Sequence, residues 1–104
     1  MSRFVKAAPL EKIRQQCGTF VAIEGQEIAL FHRGTEYFAI NNVCSHQHFS
    51  VLHEGELQDC TVRCPMHGWV YDLRTGNAVS GSGKVARYNV KVQGEFLLIE
   101  IDDV

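Results

Sequence analysis

Long apolar runs are missing from this chain. No window approaches the 18 or so consecutive apolar residues of a membrane-spanning helix, so nothing is expected to cross a membrane. An excess of charge of one sign is also missing. Ten basic residues stand against twelve acidic ones, 10 − 12 = −2, which argues against a nucleic-acid binder with its basic face. No repeat, linker or low-complexity block appears. The single small-residue cluster, Ser80-Gly81-Ser82-Gly83, is too short to separate domains. Proline is scarce, with only Pro9 and Pro65. The N-terminus runs from Met1-Ser2-Arg3-Phe4-Val5-Lys6 into the charged Glu11-Lys12-Ile13-Arg14 and lacks the apolar stretch of a secretory signal. A reducing, cytoplasmic compartment is therefore expected. There, four cysteines point to metal or redox chemistry more than to a disulfide frame.

What is present is enough for one domain, residues 1–104. A chain of 104 residues buries roughly two-thirds of its unfolded surface, and 45% apolar content favours folding over disorder. Short stretches rich in β-formers predict strands. Thr19 to Glu24 stops at Gly25, and Glu27 to His32 follows a Gly25-Gln26 turn. Glu36 to Asn41 follows Arg33-Gly34-Thr35, which makes a hairpin meander. Val85 to Val92 alternates, with Ala86, Tyr88, Val90 and Val92 on one face and Arg87, Asn89 and Lys91 on the other. After a Gln93-Gly94 turn, Glu95 to Ile101 reads as a more fully buried strand. Pro9 to Gln16 predicts one or two helical turns, with Gly18 as a stop. Between these, about Asn42 to Thr75, periodicity fades, and a loop-rich insertion is expected on a β scaffold, where function tends to sit.

Two short motifs in that insertion carry chemistry. Cys44-Ser45-His46 is a C-x-H, Cys64-Pro65-Met66-His67 is a C-x-x-H, and seventeen residues separate His46 from Cys64. Each motif offers one thiolate and one imidazole, ligands that iron and zinc accept. The four could close one tetrahedral zinc site. Alternatively, the cysteines could hold one iron of a [2Fe–2S] cluster and the histidines the other. C-x-H is an awkward knuckle for a single ion, whereas neighbouring ligands from one loop can reach two different irons, so spacing favours the cluster.

Together with Gly68-Trp69-Val70-Tyr71-Asp72, Leu73-Arg74-Thr75-Gly76 and the intervening Glu54-Gly55-Glu56-Leu57, these motifs resemble the Rieske iron–sulfur signature. The resemblance is strong over the central third of the chain and looser in the flanking strands. It implies an all-β fold, an antiparallel β-sheet sandwich with a small cluster-binding subdomain at about 42–75. It implies one [2Fe–2S] cluster per chain, with Cys44 and Cys64 on the buried iron and His46 and His67 on the outer one. Replacing two anionic thiolates with neutral imidazoles makes the site less negative and raises its potential. The free nitrogens of those histidines stay titratable in the family, and electron uptake should raise their pKa values.

High-potential Rieske proteins, such as those of respiratory cytochrome bc complexes, pair an extra cysteine from each loop. The matching positions here are Phe49 and Met66, so that bridge cannot form. Those proteins also place a serine after the His-Gly of the second loop, where this chain has Trp69. Losing a donor near an anionic sulfur lowers the potential. The chain thus resembles the low-potential, ferredoxin-type branch, with Tyr71 in place of a common Phe. Its hydroxyl is positioned in sequence to donate to a cysteine sulfur and partly restore the potential. Pro65 and Gly68 are expected to serve the backbone of the second loop. The region of the family's proline-containing third loop is Ser80-Gly81-Ser82-Gly83, a departure that bears on the rigidity of the cluster's cover and not on ligation. His48 and His53 are expected to be polar loop residues without a metal role. His32 is expected at a strand surface or boundary. Cys17 and Cys60 are expected to pack as small apolar residues. Trp69 and Met66 are candidates to shield the cluster.

Rieske oxygenases add a second domain with a mononuclear iron on two histidines and a carboxylate, and 104 residues leave no room for one. No catalytic residue is assigned. The implied function is a monomeric one-electron carrier between a flavin-dependent reductase and a terminal oxygenase of the aromatic-ring hydroxylating dioxygenase type. Glu54, Glu56 and Asp59 are candidates to steer a basic partner patch. The alternatives are a small, non-catalytic subunit of an NAD(P)H nitrite reductase and, from another class, a structural zinc module for protein interaction.

Overall fold

The computed structural model describes residues 2–44, 49–66, 68–81 and 83–102, and these fold into eleven strands with no α-helix among them. The strands are β1 (Ser2–Pro9), β2 (Gly18–Ile23), β3 (Gln26–Arg33), β4 (Glu36–Asn41), β5 (Glu56–Gln58), β6 (Thr61–Arg63), β7 (Val70–Asp72), β8 (Ala78–Ser80), β9 (Arg87–Tyr88), β10 (Val90–Gln93) and β11 (Phe96–Asp102). They form three antiparallel sheets ordered β1-β11-β10, β2-β3-β4-β9 and β5-β6-β7-β8. The expected all-β class is what the structure shows.

The middle sheet explains why Ile28-Ala29-Leu30-Phe31 is an unbroken apolar run. A strand turns successive side chains to opposite faces. Ile28 and Leu30, with Ala39, enter a core shared with Leu97, Ile99 and Ile101 of β11. Ala29 and Phe31, with Phe38 and Ile40, enter a second core shared with Val62, Tyr71 and Leu73 of the small sheet region. A sheet covered on both sides needs apolar residues at every position. Burying each large side chain of this kind contributes about 1.5–3 kcal/mol.

Several local expectations differ from what forms. The first hairpin turns at Glu24-Gly25, with Ile23 facing Gln26, one residue earlier than the expected Gly25-Gln26. Both turn residues have positive φ, 50° and 80°, the geometry that matches the twist of paired strands. The expected single strand Val85 to Val92 is split at Asn89. Its first part, β9, pairs with β4, and its second, β10, pairs with β11, so one alternating segment serves two sheets. Over Pro9 to Gln16 one helical turn forms, at the lower end of the expectation and not α-helical. Only Leu10–Lys12 makes a 3₁₀ turn, because Pro9 stays extended at the end of β1 and the Leu10 N–H donates to Glu95 O at 2.9 Å. β1 itself was not expected. The weakly periodic segment holds, besides loops, three strands, β5, β6 and β7, of the four-stranded sheet β5-β6-β7-β8.

Candidate metal centre

The first cysteine lies on the loop leaving β4. Val43 and Ser50 form an antiparallel bridge, and the Cys44 N–H donates to Phe49 O at 2.9 Å. The Val43 N–H donates to Asn41 Oδ1 at 2.9 Å. These bonds tie Val43 and Cys44 to Phe49 and Ser50 just beyond the end of β4. The second cysteine lies on the six-residue connection between β6 and β7, closed by the Arg63–Val70 pair. There the Cys64 N–H donates to Trp69 O at 2.7 Å, and the Gly68 N–H donates back to Cys64 O at 2.9 Å. Gly68 has φ +74°, and a side chain there would press on the Arg63 guanidinium, so the expected backbone role of this glycine holds. Pro65 lies in the same turn.

The two loops deliver Cys44 and Cys64 to one core, each 1% exposed and neither in a disulfide. Tyr71 is fully buried in that core, and its hydroxyl lies 3.3 Å from the Cys44 sulfur, as its position in the sequence led one to expect. A groove of about 310 Å³ opens beside Cys64, lined by Glu54, Glu56, Arg63, Pro65 and Gly68 as well. Phe49 and Met66, at the ends of the two loops, are each 47% exposed. Half-buried Trp69 packs on the cysteine core, and its indole lies against the backbone of Gly81.

His46, His67 and His48 lie outside the described residues. Cys60 is buried in the same core as Cys44 and Cys64, as expected for a packing residue. Cys17 is exposed, which corrects its expected packing role: it lies in the turn before β2, outside both cores. His32 is half-buried and stacks on Tyr37 with ring centroids 3.9 Å apart. Asp59 pairs with Arg33 at 3.6 Å. His53 is more than a solvated loop residue. Its backbone and ring both bond to Asn42, the one buried polar residue among those described. Sequence offered no signal for that pairing beyond two polar residues flanking the first loop.

Residues 3–93 match the family model of the Rieske [2Fe-2S] domain. The 3-phenylpropionate/cinnamic acid dioxygenase ferredoxin subunit of Shigella boydii serotype 4 is 39% identical over 79 residues, 73% of this chain and 74% of the relative. Among solved structures, the ferredoxin of carbazole 1,9a-dioxygenase from Nocardioides aromaticivorans IC177 superposes with a TM-score of 0.87 at 28% identity, covering 92% of this chain and 95% of that one. A Mycobacterium tuberculosis protein assigned as an NADH-dependent nitrite reductase small subunit superposes with a TM-score of 0.91, covering 100% of this chain and 99% of that one. At 19% identity, that likeness speaks for the fold alone.

Proposed function

Because the chain belongs to the Rieske [2Fe–2S] domain family, we propose that it is a one-electron carrier, accepting from a flavin-dependent reductase and donating to a terminal oxygenase of the aromatic-ring hydroxylating type. One observation carries the reading: two buried, unbridged cysteines from separate loops share a core, with a tyrosine hydroxyl at the sulfur of one. That donor set fits the family's cluster. Cys44 and Cys64 would hold its buried iron, and His46 and His67 its outer one. When bound, the cluster supplies reversible uptake of a single electron.

The rest is the work of the chain. The core around Cys44 and Cys64 keeps water from the sulfurs. With Cys44 as a thiolate ligand, the Tyr71 hydroxyl 3.3 Å away would donate to its sulfur and stabilise added negative charge there. Exposed Phe49 and Met66 give a partner apolar contact close to the ligand loops. Exposed Glu54 and Glu56 steer a basic patch, so docking is brief and weakens as salt rises. Residues about 42–75 act as the cluster-binding part of a single domain. Free thiols at Cys17 and Cys60 suit a reducing cytoplasm. The chain itself oxidises no substrate.

Purified protein should contain about two irons and two acid-labile sulfides per chain and give a Rieske-type electron paramagnetic resonance signal on reduction. It should also support turnover by a dioxygenase terminal component when a flavin-dependent reductase is supplied. A colourless protein with one zinc and no sulfide would overturn the reading. A stable complex with a large sirohaem-containing subunit on pull-down would replace the shuttling carrier with a nitrite reductase subunit.

A further inference from the structure

Asn42 is fully buried, and it precedes Cys44 by two residues. Its backbone joins three segments. The N–H donates to Glu27 O of β3 at 2.8 Å, and the carbonyl accepts from the N–H groups of Val51 and Leu52, each at 3.1 Å. The side-chain amide has one acceptor and two donor hydrogens, and all three are used. Oδ1 accepts the His53 backbone N–H at 2.6 Å. Nδ2 donates to Ser50 Oγ at 2.8 Å and to the His53 ring at Nδ1, 2.9 Å away.

This arrangement fixes the roles. The short bond from the His53 backbone N–H keeps Oδ1 on that side, so the amide cannot flip. Ser50 Oγ takes one Nδ2 hydrogen, and the second has His53 Nδ1 in front of it. The imidazole therefore accepts at Nδ1 and carries its proton on Nε2. The opposite tautomer would set an N–H against the amide N–H and crowd two donors onto Oδ1, which lies 3.2 Å from Nδ1. Ser50 also bridges to Val43, next to Cys44. The ring of His53 is steadied from the other side by Phe20, with centroids 5.4 Å apart.

We infer that His53 is a positioning residue for the cluster: by accepting at Nδ1 it locks the Asn42 amide onto Ser50 and so holds the first ligand loop in register. The inference rests on the carrier reading above, in which Cys44 is a ligand. Removing the acceptor leaves a buried amide hydrogen without a partner beside the Asn42–Ser50 bond, which weakens the packing that holds this end of the loop. The loop then samples more than one position, and Cys44 moves with it.

The test uses cluster-loaded wild-type protein and three variants. His53→Leu removes the acceptor and keeps the bulk. His53→Asn returns an acceptor oxygen to the position of Nδ1. Ser50→Ala removes the other end of the lock without touching the ring. Visible absorbance should decay in the presence of an iron chelator about tenfold faster in His53→Leu than in wild type, the equivalent of one lost buried hydrogen bond. The paramagnetic resonance signal of the reduced protein should broaden and its midpoint potential should shift. Ser50→Ala should reproduce these changes, and His53→Asn should restore wild-type behaviour in all three. Wild-type spectra and decay in both His53→Leu and Ser50→Ala would overturn the inference, as would a His53→Asn variant that behaves like His53→Leu. If His53→Leu does not fold, Ser50→Ala and His53→Asn decide between them. Absence of a cluster from the wild-type protein would instead sink the carrier reading.

Discussion

Replacing Tyr71 with Phe removes one oxygen from a fully buried ring and nothing else. That oxygen lies 3.3 Å from the Cys44 sulfur. On an iron-bound thiolate the sulfur is the acceptor and the hydroxyl the donor. Adding an electron makes the sulfur more negative and strengthens the bond, so the hydroxyl stabilises the reduced state more than the oxidised one. A hydrogen bond to a charged group is worth about 1.5–3 kcal/mol in total, and only the increment on reduction enters the potential. With an increment of about 1 kcal/mol, and 59 mV for each tenfold change in a one-electron equilibrium, Tyr71→Phe should lower the midpoint potential by about 40 mV. The sign is fixed by the argument: losing the donor disfavours electron uptake. The assay is a redox titration followed by visible absorbance, with iron and sulfide contents measured beside it. An unchanged or raised potential, at wild-type iron and sulfide, would refute the contact as a determinant of the potential.

His46→Ala and His67→Ala should each abolish the native visible spectrum, whereas His48→Ala should leave it largely intact. Gly76→Ala places a methyl 2.1 Å from Val85 O at φ +81°, while Gly25→Ala meets nothing within 4 Å at φ +80°. The first should cost several kcal/mol and the second about 1–2 kcal/mol, a difference that thermal melts of the loaded protein resolve. Trp69 is the sole tryptophan and packs on the cysteine core. Its emission should rise when iron is stripped by acid and chelator, and a constant yield would place the cluster elsewhere.

The burial of Cys44 and Cys64 in one core was legible because motif chemistry is local. Cys44-Ser45-His46 and Cys64-Pro65-Met66-His67 carry their meaning in adjacent residues. Tyr71 was legible for the same reason, since β7 follows directly from the second loop. Pairing between distant segments was not. The alternation of Val85 to Val92 is real, but a period of two cannot say that Tyr88 faces Ala39 in one sheet while Val90 faces Ile99 in another. β1 escaped because half of Ser2–Pro9 is exposed and the strand is stabilised by its pairing with β11. The Asn42–His53 pairing is tertiary in the same sense: eleven residues apart, each is an ordinary polar residue until the fold brings them together.

The two ligand loops grow from different sheets, the first from the end of β4 and the second from the turn between β6 and β7. A cofactor gripped by both therefore acts as a rivet between layers. Chains that have not yet received iron would have the small sheet held by core packing and a few side-chain contacts, such as Tyr71 to Cys44 and Asp59 to Arg33. Proteases would cut these empty chains first, between Asn42 and Thr75, so cofactor delivery would also sort finished carriers from unfinished ones.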